Sequence, residues 1–353
     1  MGVLNNKENA KINIPINVLY SEIKGGIYPI WEKRKTKKYW EYRKKWNDNA
    51  KNNIVERFPL NLDIEPTNIC NLKCPMCPRT IAISNNVNCF NNLGMMSMDM
   101  FKRIIDEVSD KNGCNVYAIK LTHRGEPLIN PDIVNMIKYA KEKGVVDIIM
   151  NTNGVLLTPE ISEQIIDAGL DKMLFSFDAP SKELYEKIRI GAVYEDVLNN
   201  IKKFVEIRNK KQAYGTLVRA GMVLTKDTIS EVENFKKLFS NIVDVISFNK
   251  EHKENIIISD EEIYNTIERS SQNIKDCLFA DSQLWQRMTI NWNGETEACC
   301  ENYKEEYSLG NINDKSIEEI WNGDKFKAIR NAHYCGEWWK IPQCKKCTLH
   351  FTK

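Results

Sequence analysis

The sequence predicts an α/β fold, a partial (β/α)6 barrel of parallel strands followed by a small, cysteine-rich α+β module. Six strand-like runs alternate with amphipathic helical stretches between residues 60 and 250. The pattern changes near residue 255, and six of the eleven cysteines lie beyond that point. We therefore expect a basic and aromatic N-terminal extension (1–58), a barrel (59–254) and a C-terminal module (255–353).

The N-terminal extension is rich in Asn and Lys, and its 28–57 stretch mixes aromatic with basic side chains. We expect a helix that lies on the barrel with its aromatic side chains packed beneath it. Two other interpretations are a cationic wall for a phosphorylated or nucleotide-linked substrate and a helix on a membrane surface.

The barrel is predicted from its strands and from the residues that are expected to begin and end its helices. Asn130 is expected to cap a helix that has Pro131 in its first turn and Gly144 after its end, and Thr158-Pro159 opens the next helix. In such folds the active-site residues lie at the carboxyl ends of the strands. The predicted strands are 60–65, 116–121, 146–150, 172–176, 218–224 and 243–248.

The C-terminal module is expected to begin with a β-hairpin formed by 288–292 and 295–299. Asn293-Gly294 between these runs is a preferred two-residue turn. Ser316 and Glu319 then form a capping box that opens a helix.

Composition indicates which partners and compartments to expect. Lys and Arg (50) nearly balance Asp and Glu (48), which gives no global reason to expect nucleic-acid binding. No run is long and apolar enough to span a membrane, and the N-terminus lacks the pattern of a signal peptide. We therefore expect a cytoplasmic protein, in which eleven cysteines serve metals or catalysis rather than disulfides.

The strongest motif is the cysteine loop that directly follows the first predicted strand. Cys70, Cys74 and Cys77 have the spacing C-x3-C-x2-C. Three thiolates on one tight loop can hold three irons of a [4Fe–4S] cluster and leave the fourth iron open to another ligand. The alternatives are structural zinc, which prefers four closed ligands, and simple buried cysteines.

Polar motifs also end three of the later predicted strands. They are Arg124-Gly125-Glu126-Pro127, Thr152-Asn153-Gly154 and Ser176-Phe177-Asp178, and Arg189 follows them.

Together with the cysteine loop, these motifs resemble the radical S-adenosylmethionine (SAM) superfamily over roughly residues 60–250. The resemblance implies that the open iron chelates SAM, and that an external one-electron reductant such as flavodoxin or ferredoxin reduces the cluster. SAM is then cleaved to a 5′-deoxyadenosyl radical, which abstracts hydrogen from a substrate.

The resemblance also implies roles for the residues of these motifs. Gly125 and Glu126 match the Gly-Gly-Glu-Pro motif that meets the SAM amino group. Ser176 and Asp178 match the ribose-binding motif, and Arg189 is a candidate for the SAM carboxylate. This chain departs from the family pattern at two positions, with Arg124 in place of the first glycine and Met76 where an aromatic residue is common.

The C-terminal cysteines carry a second resemblance. Gly294-x4-Cys299 matches the start of the SPASM signature of radical SAM proteins, and the absence of cysteines after Cys347 is typical of the shortened "twitch" form. The layout resembles the aminocyclitol dehydrogenase type of the butirosin pathway. It implies a second, auxiliary [4Fe–4S] cluster, for which the expected ligands are Cys277, Cys299, Cys344 and Cys347.

Alternatives to this auxiliary site remain open. Two separated cysteine pairs also suit a zinc ribbon. Adjacent residues of a strand point to opposite faces, so only one of Cys299 and Cys300 is expected to face the cluster. Cys300 could therefore be the ligand in place of Cys299.

Other polar residues are candidates for contacts inside the barrel. His123 either faces the active site or is a hydrogen-bonded structural histidine. Asp63 and Glu65 share one face of the first strand, and two buried carboxylates are costly unless they are paired. Arg219 and Asn249 are candidate contacts to substrate or SAM.

Three functions compete. The first is a radical SAM enzyme that oxidises or epimerises a small polar molecule such as an aminocyclitol, a sugar or a nucleotide-linked sugar. An auxiliary cluster favours oxidation, whereas Cys300, or failing that Cys335, is a candidate hydrogen donor for epimerisation. The second function is a maturase that modifies a precursor peptide, and the third is a non-catalytic iron–sulfur or zinc protein.

Overall fold

The computed structural model describes residues 20–86, 92–109, 116–251, 283–299 and 307–345. Its strands are β1 (Tyr20–Lys24), β2 (Asn61–Ile64), β3 (Ala118–Leu121), β4 (Asp147–Thr152), β5 (Lys172–Ser176), β6 (Leu217–Leu224), β7 (Val245–Lys250), β8 (Arg287–Ile290), β9 (Glu295–Glu297) and β10 (Gly310–Asn311).

The helices surround these strands. They are α1 (Tyr28–Lys33), α2 (Lys37–Asn52), α3 (Pro78–Ser84), α4 (Met98–Glu107), α5 (Ile133–Glu142), α6 (Pro159–Asp167), α7 (Lys182–Ile188), α8 (Tyr194–Lys210), α9 (Val232–Phe239), α10 (Ile317–Trp321), α11 (Asp324–Tyr334) and α12 (Pro342–Lys345). Of the helices described, none is both long and apolar enough to cross a bilayer.

All ten strands form one sheet in the order β1-β7-β6-β5-β4-β3-β2-β8-β9-β10. Strands β2 to β7 are parallel and lie in sequence order, because each returns through a helix on the outer face. This confirms the predicted parallel sheet and its six strands. The carboxyl ends of these strands meet at one edge, where the cysteine loop and the polar motifs also lie.

The main core fills the layer between the sheet and the outer helices. Alternate strand residues such as Ile64, Met150 and Phe175 point into it, and helix faces such as those of Phe101 and Met136 cover them. The other alternate residues face the inside of the barrel, as the two-residue period of a strand requires.

Two predicted helix starts are confirmed. The Thr158 side chain accepts a hydrogen bond from the backbone N–H of Ile161 and caps α6. Ser316 and Glu319 form the predicted reciprocal capping box of α10.

The predicted cap of α5 is wrong. That helix begins at Ile133 with Asp132 as its N-cap residue, and Asn130 lies two residues before that cap. The Oδ1 of the buried Asn130 accepts from the N–H of Asp132 at 2.9 Å, while its Nδ2 donates to the carbonyl oxygens of Pro66 and Met96 at 2.9 and 3.0 Å. These buried carbonyls need partners, so Asn130 ties the loop after β3 to the cysteine loop.

The N-terminal extension packs on the barrel, as expected, but at the end away from the cysteine loop. Trp31, Tyr39 and Tyr42 of α1 and α2 form an apolar cluster with Leu217 and Val245, the first residues of β6 and β7. The aromatic side chains therefore cover the amino ends of the strands. The extension therefore lies at the opposite end of the strands from the cysteine loop, and a cationic wall for a substrate would face away from that loop.

The C-terminal hairpin extends the same sheet. Strand β8 pairs in parallel with β2, and β9 returns antiparallel beside it. The predicted two-residue turn is wrong, because Ile290 pairs with Thr296 and the N–H of Asn291 donates to the Glu295 carbonyl at 2.8 Å, which leaves a three-residue loop. Gly294, the last residue of this loop, has φ +88°, a conformation that favours glycine. Trp292 packs so closely on Gly94 that a Cβ there would lie 2.2 Å from its ring. The module is thus continuous with the barrel beside the cysteine loop.

Candidate active site

The cysteine loop leaves β2 and is braced by buried polar side chains. The Arg79 Nε donates to the carbonyl of Asn68 at 2.8 Å, and the Asn68 side chain accepts from the backbone N–H of Gly94 at 2.9 Å. On its other side, the N–H of Lys73 donates to the carbonyl of Ile190 at 3.0 Å. These contacts fix the loop's path without using any thiol.

The three thiols have surroundings that suit bound metal. Cys74 is buried, while Cys70 and Cys77 are half-buried. Burial raises the pKa of the Cys70 and Cys74 thiols, so thiolates there need stabilisation by a metal or by hydrogen-bond donors. Donors are present, since the N–H of Leu72 lies 3.5 Å from the Cys70 Sγ and the Arg189 Nη1 lies 3.7 Å from the Cys74 Sγ.

Gly125 lets the second motif approach the cysteine loop. A Cβ on this residue would lie 2.1 Å from the carbonyl oxygen of Thr67 and 2.6 Å from that of Ile69, so no larger residue can occupy the position. The next N–H, that of Glu126, donates to the Ile69 carbonyl at 2.8 Å. Glu126 is thereby held beside the residue that precedes Cys70.

Glu126 is a buried carboxylate with three donors. Its oxygens accept from the Thr152 hydroxyl at 2.7 Å, from the N–H of Asn153 at 2.8 Å and from the N–H of Leu128 at 3.2 Å. Burial raises the pKa of Glu126 to about 6, although these donors favour the ionised form. The predicted Thr152-Asn153-Gly154 motif thus orients the carboxylate that the Gly-Glu-Pro motif supplies.

Asp178 and Arg189 form a buried ion pair beside Cys74. Asp178 has φ +69°, and one of its carboxylate oxygens accepts from the N–H of Val223 at 2.8 Å while the other contacts the Arg189 guanidinium. Burial disfavours the charged form of Arg189, but Asp178 and Cys74 raise its pKa above the ordinary value. The Arg189 Nε is buried with no partner among the described residues, and so remains available to an anionic group such as a carboxylate.

Arg124, which departs from the family pattern, forms a bidentate ion pair with Glu65. The Nε and Nη2 atoms of Arg124 lie 2.8 and 2.6 Å from the two Glu65 oxygens, and both side chains are fully buried. The N–H of Trp292 also donates to Glu65 at 3.2 Å. Burial opposes ionisation of Glu65, but Arg124 and His123 hold its pKa below the usual range.

Asp63 of β2 is also paired, as Glu65 just beyond the strand is. Asp63 accepts from the Asn61 amide at 2.9 Å and lies 3.4 Å from the Arg287 guanidinium. Each carboxylate on the inner face of β2 has its own arginine, as the cost of burying a lone charge requires.

His123 is a buried histidine at the joint between β3 and the C-terminal hairpin. Its Nε2 lies 3.7 Å from a Glu297 carboxylate oxygen, and both side chains are almost fully buried. Burial disfavours the charged imidazole, but Glu297 and Glu65 raise the pKa of His123 above its ordinary value. The structure thus gives His123 a partner in the hairpin, as expected of a structural histidine.

Short polar side chains line the upper interior of the barrel. Gly221 of β6 faces this space, where a Cβ would lie 3.3 Å from the Ser247 Oγ and 3.9 Å from the Asn249 Nδ2. Ser176 pairs with Gly221 across the sheet. Asn151 lies on the inner face of β4, because its neighbour Met150 points into the outer core.

Two of these polar groups lack partners in the described part of the chain. The Asn151 Oδ1 and the Ser247 Oγ are buried without a hydrogen bond there. Arg219, predicted as a substrate or SAM contact, lies 3.5 Å from Glu22 of β1. The inner surface is therefore polar on several strands.

The C-terminal cysteines are only partly within the described residues. Cys299 follows β9 and Cys344 lies in α12, and both are half-buried, whereas Cys335 is exposed at the end of α11. Cys277, Cys300 and Cys347 lie outside the described residues, as do Cys89 and Cys114.

Sequence reasoning missed His333. Its Nε2 lies 3.3 Å from the Cys344 Sγ, and burial lowers the pKa of His333 to about 4. A histidine eleven residues before a candidate cysteine ligand was a visible signal, but only the packing of α11 against α12 brings the two together.

Comparison with known proteins agrees with this geometry. Residues 64–239 match the model of the radical SAM superfamily, and residues 277–348 match SPASM, an iron–sulfur cluster-binding domain. A relative from Pyrococcus furiosus, the tungsten-containing aldehyde ferredoxin oxidoreductase cofactor-modifying protein, is 23% identical over 82% of this chain and 87% of its own.

Two solved structures share the fold. BtrN in complex with AdoMet and 2-DOIA has a TM-score of 0.51 at 18% identity, covering 83% of this chain and 94% of its own. SuiB of Streptococcus suis bound to S-adenosylmethionine has a TM-score of 0.56 at 19% identity, and the match covers 85% of this chain and 73% of the SuiB chain. The domain matches imply SAM and [4Fe–4S] clusters as cofactors. With the cysteine loop and the buried carboxylate in place, the chain belongs to the radical SAM superfamily and carries a C-terminal SPASM domain.

Proposed function

We propose that this radical SAM enzyme abstracts hydrogen from a small polar molecule held inside the barrel and oxidises it. Aminocyclitols, sugars and nucleotide-linked sugars have the required chemistry. The observation that carries the proposal is the polar upper interior, where Asn151 and Ser247 have buried oxygens without partners in the described part of the chain. Buried polar groups need hydrogen bonds, and the hydroxyl or amino groups of such a substrate supply them.

The residues at the strand ends have proposed roles in holding SAM. Cys70, Cys74 and Cys77 bind the first cluster, which when reduced supplies the electron that cleaves SAM. Glu126 accepts from the SAM ammonium, with Gly125 giving it room to approach. This charge-assisted contact is favoured because the Glu126 carboxylate is already oriented by donors from β4.

Three further residues complete the proposed SAM site. Ser176 and Asp178 face the ribose hydroxyls, and Arg189 faces the SAM carboxylate. The Arg189 Nε has no hydrogen-bond partner among the described residues, which supports its proposed contact with the SAM carboxylate. Asp178 accepts from the N–H of Val223 through one oxygen and contacts the Arg189 guanidinium through the other, and this second contact positions the guanidinium.

Oxidation needs an electron acceptor after hydrogen abstraction. We assign the role of electron acceptor to an auxiliary cluster bound by Cys277, Cys299, Cys344 and Cys347. The substrate radical loses a proton from its hydroxyl group and one electron to the acceptor, and a carbonyl forms. Epimerisation is the competing outcome, in which a thiol such as Cys300 returns a hydrogen atom from the opposite face.

The reaction test uses anaerobically reconstituted enzyme with SAM, a chemical reductant and a panel of aminocyclitols, sugars and nucleotide-linked sugars. A substrate is recognised because it raises 5′-deoxyadenosine formation above the rate without substrate. In D2O, a product lighter by two hydrogens supports oxidation. An isomer that carries one solvent deuterium at carbon supports epimerisation instead, and Cys300→Ala is then expected to stop turnover.

The polar interior is tested separately. Asn151→Ala and Ser247→Ala are each expected to raise the substrate KM about threefold to tenfold, the cost of about one neutral hydrogen bond. Substrate-free SAM cleavage should not change. The matched controls are Asn199→Ala, at an exposed helical position, and Ser240→Ala, at the exposed residue that follows α9. If only a precursor peptide stimulates the enzyme and the interior variants match their controls, the small-molecule proposal is wrong.

A further inference from the structure

A histidine of the C-terminal helices lies against one of the proposed cluster ligands. His333 is in the last turn of α11 and Cys344 is in α12, and 3.3 Å separates the Nε2 from the Sγ. Both residues are half-buried. The turn between the helices is fixed by the buried Trp338 and Ile341, and the N–H of Lys345 donates to the Ile341 carbonyl.

The chemistry of a cluster ligand decides the direction of this contact. A cysteine that binds iron is a thiolate, which accepts hydrogen bonds and has no proton to donate. At 3.3 Å from a thiolate, the imidazole Nε2 must therefore be the donor, with its hydrogen directed at sulfur.

A hydrogen bond of this kind acts on the reduction potential. It withdraws negative charge from the sulfur, and a reduced cluster carries one more negative charge than an oxidised one. The donor therefore stabilises the reduced form more strongly, and the potential rises.

We propose that His333 donates a hydrogen bond from Nε2 to the Cys344 thiolate and thereby raises the reduction potential of the auxiliary cluster. The inference rests on the proposed function, which assigns Cys344 as a ligand and the cluster as the electron acceptor. An acceptor with a higher potential takes the electron of the substrate radical more readily.

The test measures the auxiliary cluster alone, in the full-length chain with Cys70, Cys74 and Cys77 replaced by Ala. His333→Leu removes the donor, and His333→Gln restores an N–H at a similar reach. Tyr334→Leu is the control, because Tyr334 is the exposed neighbour on the same helix. Iron and sulfide are counted in each variant, and the potential is measured by a redox titration followed by electron paramagnetic resonance.

We expect His333→Leu to keep its cluster but to be about tenfold harder to reduce, a shift of about −59 mV for one electron. His333→Gln should recover much of this shift, and Tyr334→Leu should show none. An unchanged potential in His333→Leu overturns the inference. Loss of the cluster in that variant, or strong nitrogen hyperfine coupling in the parent, overturns it in favour of His333 as an iron ligand.

A further variant separates this inference from the ligand assignment. Cys344→Ala is expected to lose the auxiliary cluster. If that variant keeps the whole cluster, the proposed ligand set fails and the inference fails with it. If Cys344→Ala loses the cluster but His333→Leu leaves the potential unchanged, only the inference is wrong.

Discussion

At the scale of single residues, Glu126 shows how burial prepares a binding group. Its carboxylate is inaccessible to bulk water, yet three donors already fix its orientation. The energetic cost of ordering the side chain is therefore met on folding, before it meets the SAM ammonium that we propose as its ligand.

Glu126→Gln is expected to weaken SAM binding about tenfold to hundredfold. The change removes a charge-assisted hydrogen bond, worth about 1.5–3 kcal/mol, while it keeps the shape of the side chain. Equilibrium dialysis with the reconstituted enzyme measures the affinity. Glu183→Gln, at an exposed helical position, is the control. Unchanged SAM affinity in Glu126→Gln would show that this carboxylate does not meet the ammonium.

SAM binding should also depend on pH through Glu126. Because burial raises its pKa to about 6, the carboxylate is ionised above that pH and protonated below it. Affinity is thus expected to fall as the pH drops from 7.5 through about 6, rather than near the ordinary carboxyl value of about 4.3. Dialysis across this range, with iron content measured at each point, tests the prediction. In Glu126→Gln this pH dependence should disappear.

Arg124 is an arginine where the family pattern has glycine, and the structure explains it by the ion pair with Glu65. Arg124→Met is expected to lower the free energy of unfolding by about 3–5 kcal/mol, because it leaves Glu65 buried without its partner. Urea denaturation measures the effect. The double variant Arg124→Met/Glu65→Gln should regain much of the loss, and equal instability of the single and double variants would refute the account.

At the scale of elements, helices α1 and α2 act as a cover for the barrel. Thr36 caps α2 by accepting from the N–H of Tyr39, and the helix then places its aromatic side chains against the amino ends of the strands. Tyr42 stacks on Tyr117, with ring centroids 5.8 Å apart. The extension therefore buries apolar surface at the amino ends of the strands, opposite the candidate active site.

Tyr42→Ala is expected to destabilise the fold by about 3–5 kcal/mol, the range for large aromatic residues removed from a core. SAM affinity per folded molecule should not change, since the residue lies at the opposite end from Glu126. The control is Trp40→Ala on the same helix, where 43% exposure predicts a change within about 0.5 kcal/mol. A selective loss of SAM affinity in Tyr42→Ala would mean that the cover reaches the site.

At the scale of the whole molecule, the barrel and the SPASM domain share one sheet. Strand β8 lies beside β2, and the N–H of Trp292 meets Glu65, the partner of Arg124. The hairpin that leads to Cys299 is thus attached to the strand that leads to Cys70.

The whole chain is expected to hold two [4Fe–4S] clusters after anaerobic reconstitution, or about eight irons. Replacing Cys70, Cys74 and Cys77 by Ala should leave one cluster, with about four irons. Iron, sulfide and zinc analysis of both proteins measures this. If the triple variant holds zinc and no cluster, the assignment of the C-terminal cysteines to iron and sulfur is wrong.

The sequence by itself determined the features that local patterns encode. Strand alternation and helix periodicity predicted the six parallel strands to within a few residues, and the spacing of Cys70, Cys74 and Cys77 identified the family. These signals lie within short segments, where side-chain period and ligand spacing translate directly into geometry. The same holds for the position of the hairpin loop at Gly294, though not for its length, and for the Ser316 cap.

Tertiary structure alone decided which distant groups meet. The Asn130 amide meets two buried carbonyls from distant parts of the chain, and the aromatic extension covers the amino ends of the strands rather than the site. Arg124 and Glu65 lie 59 residues apart, and no local pattern pairs them. His333 reaches Cys344 only because two helices fold together. Buried polar groups take whichever partner packing brings near, and packing depends on the whole chain.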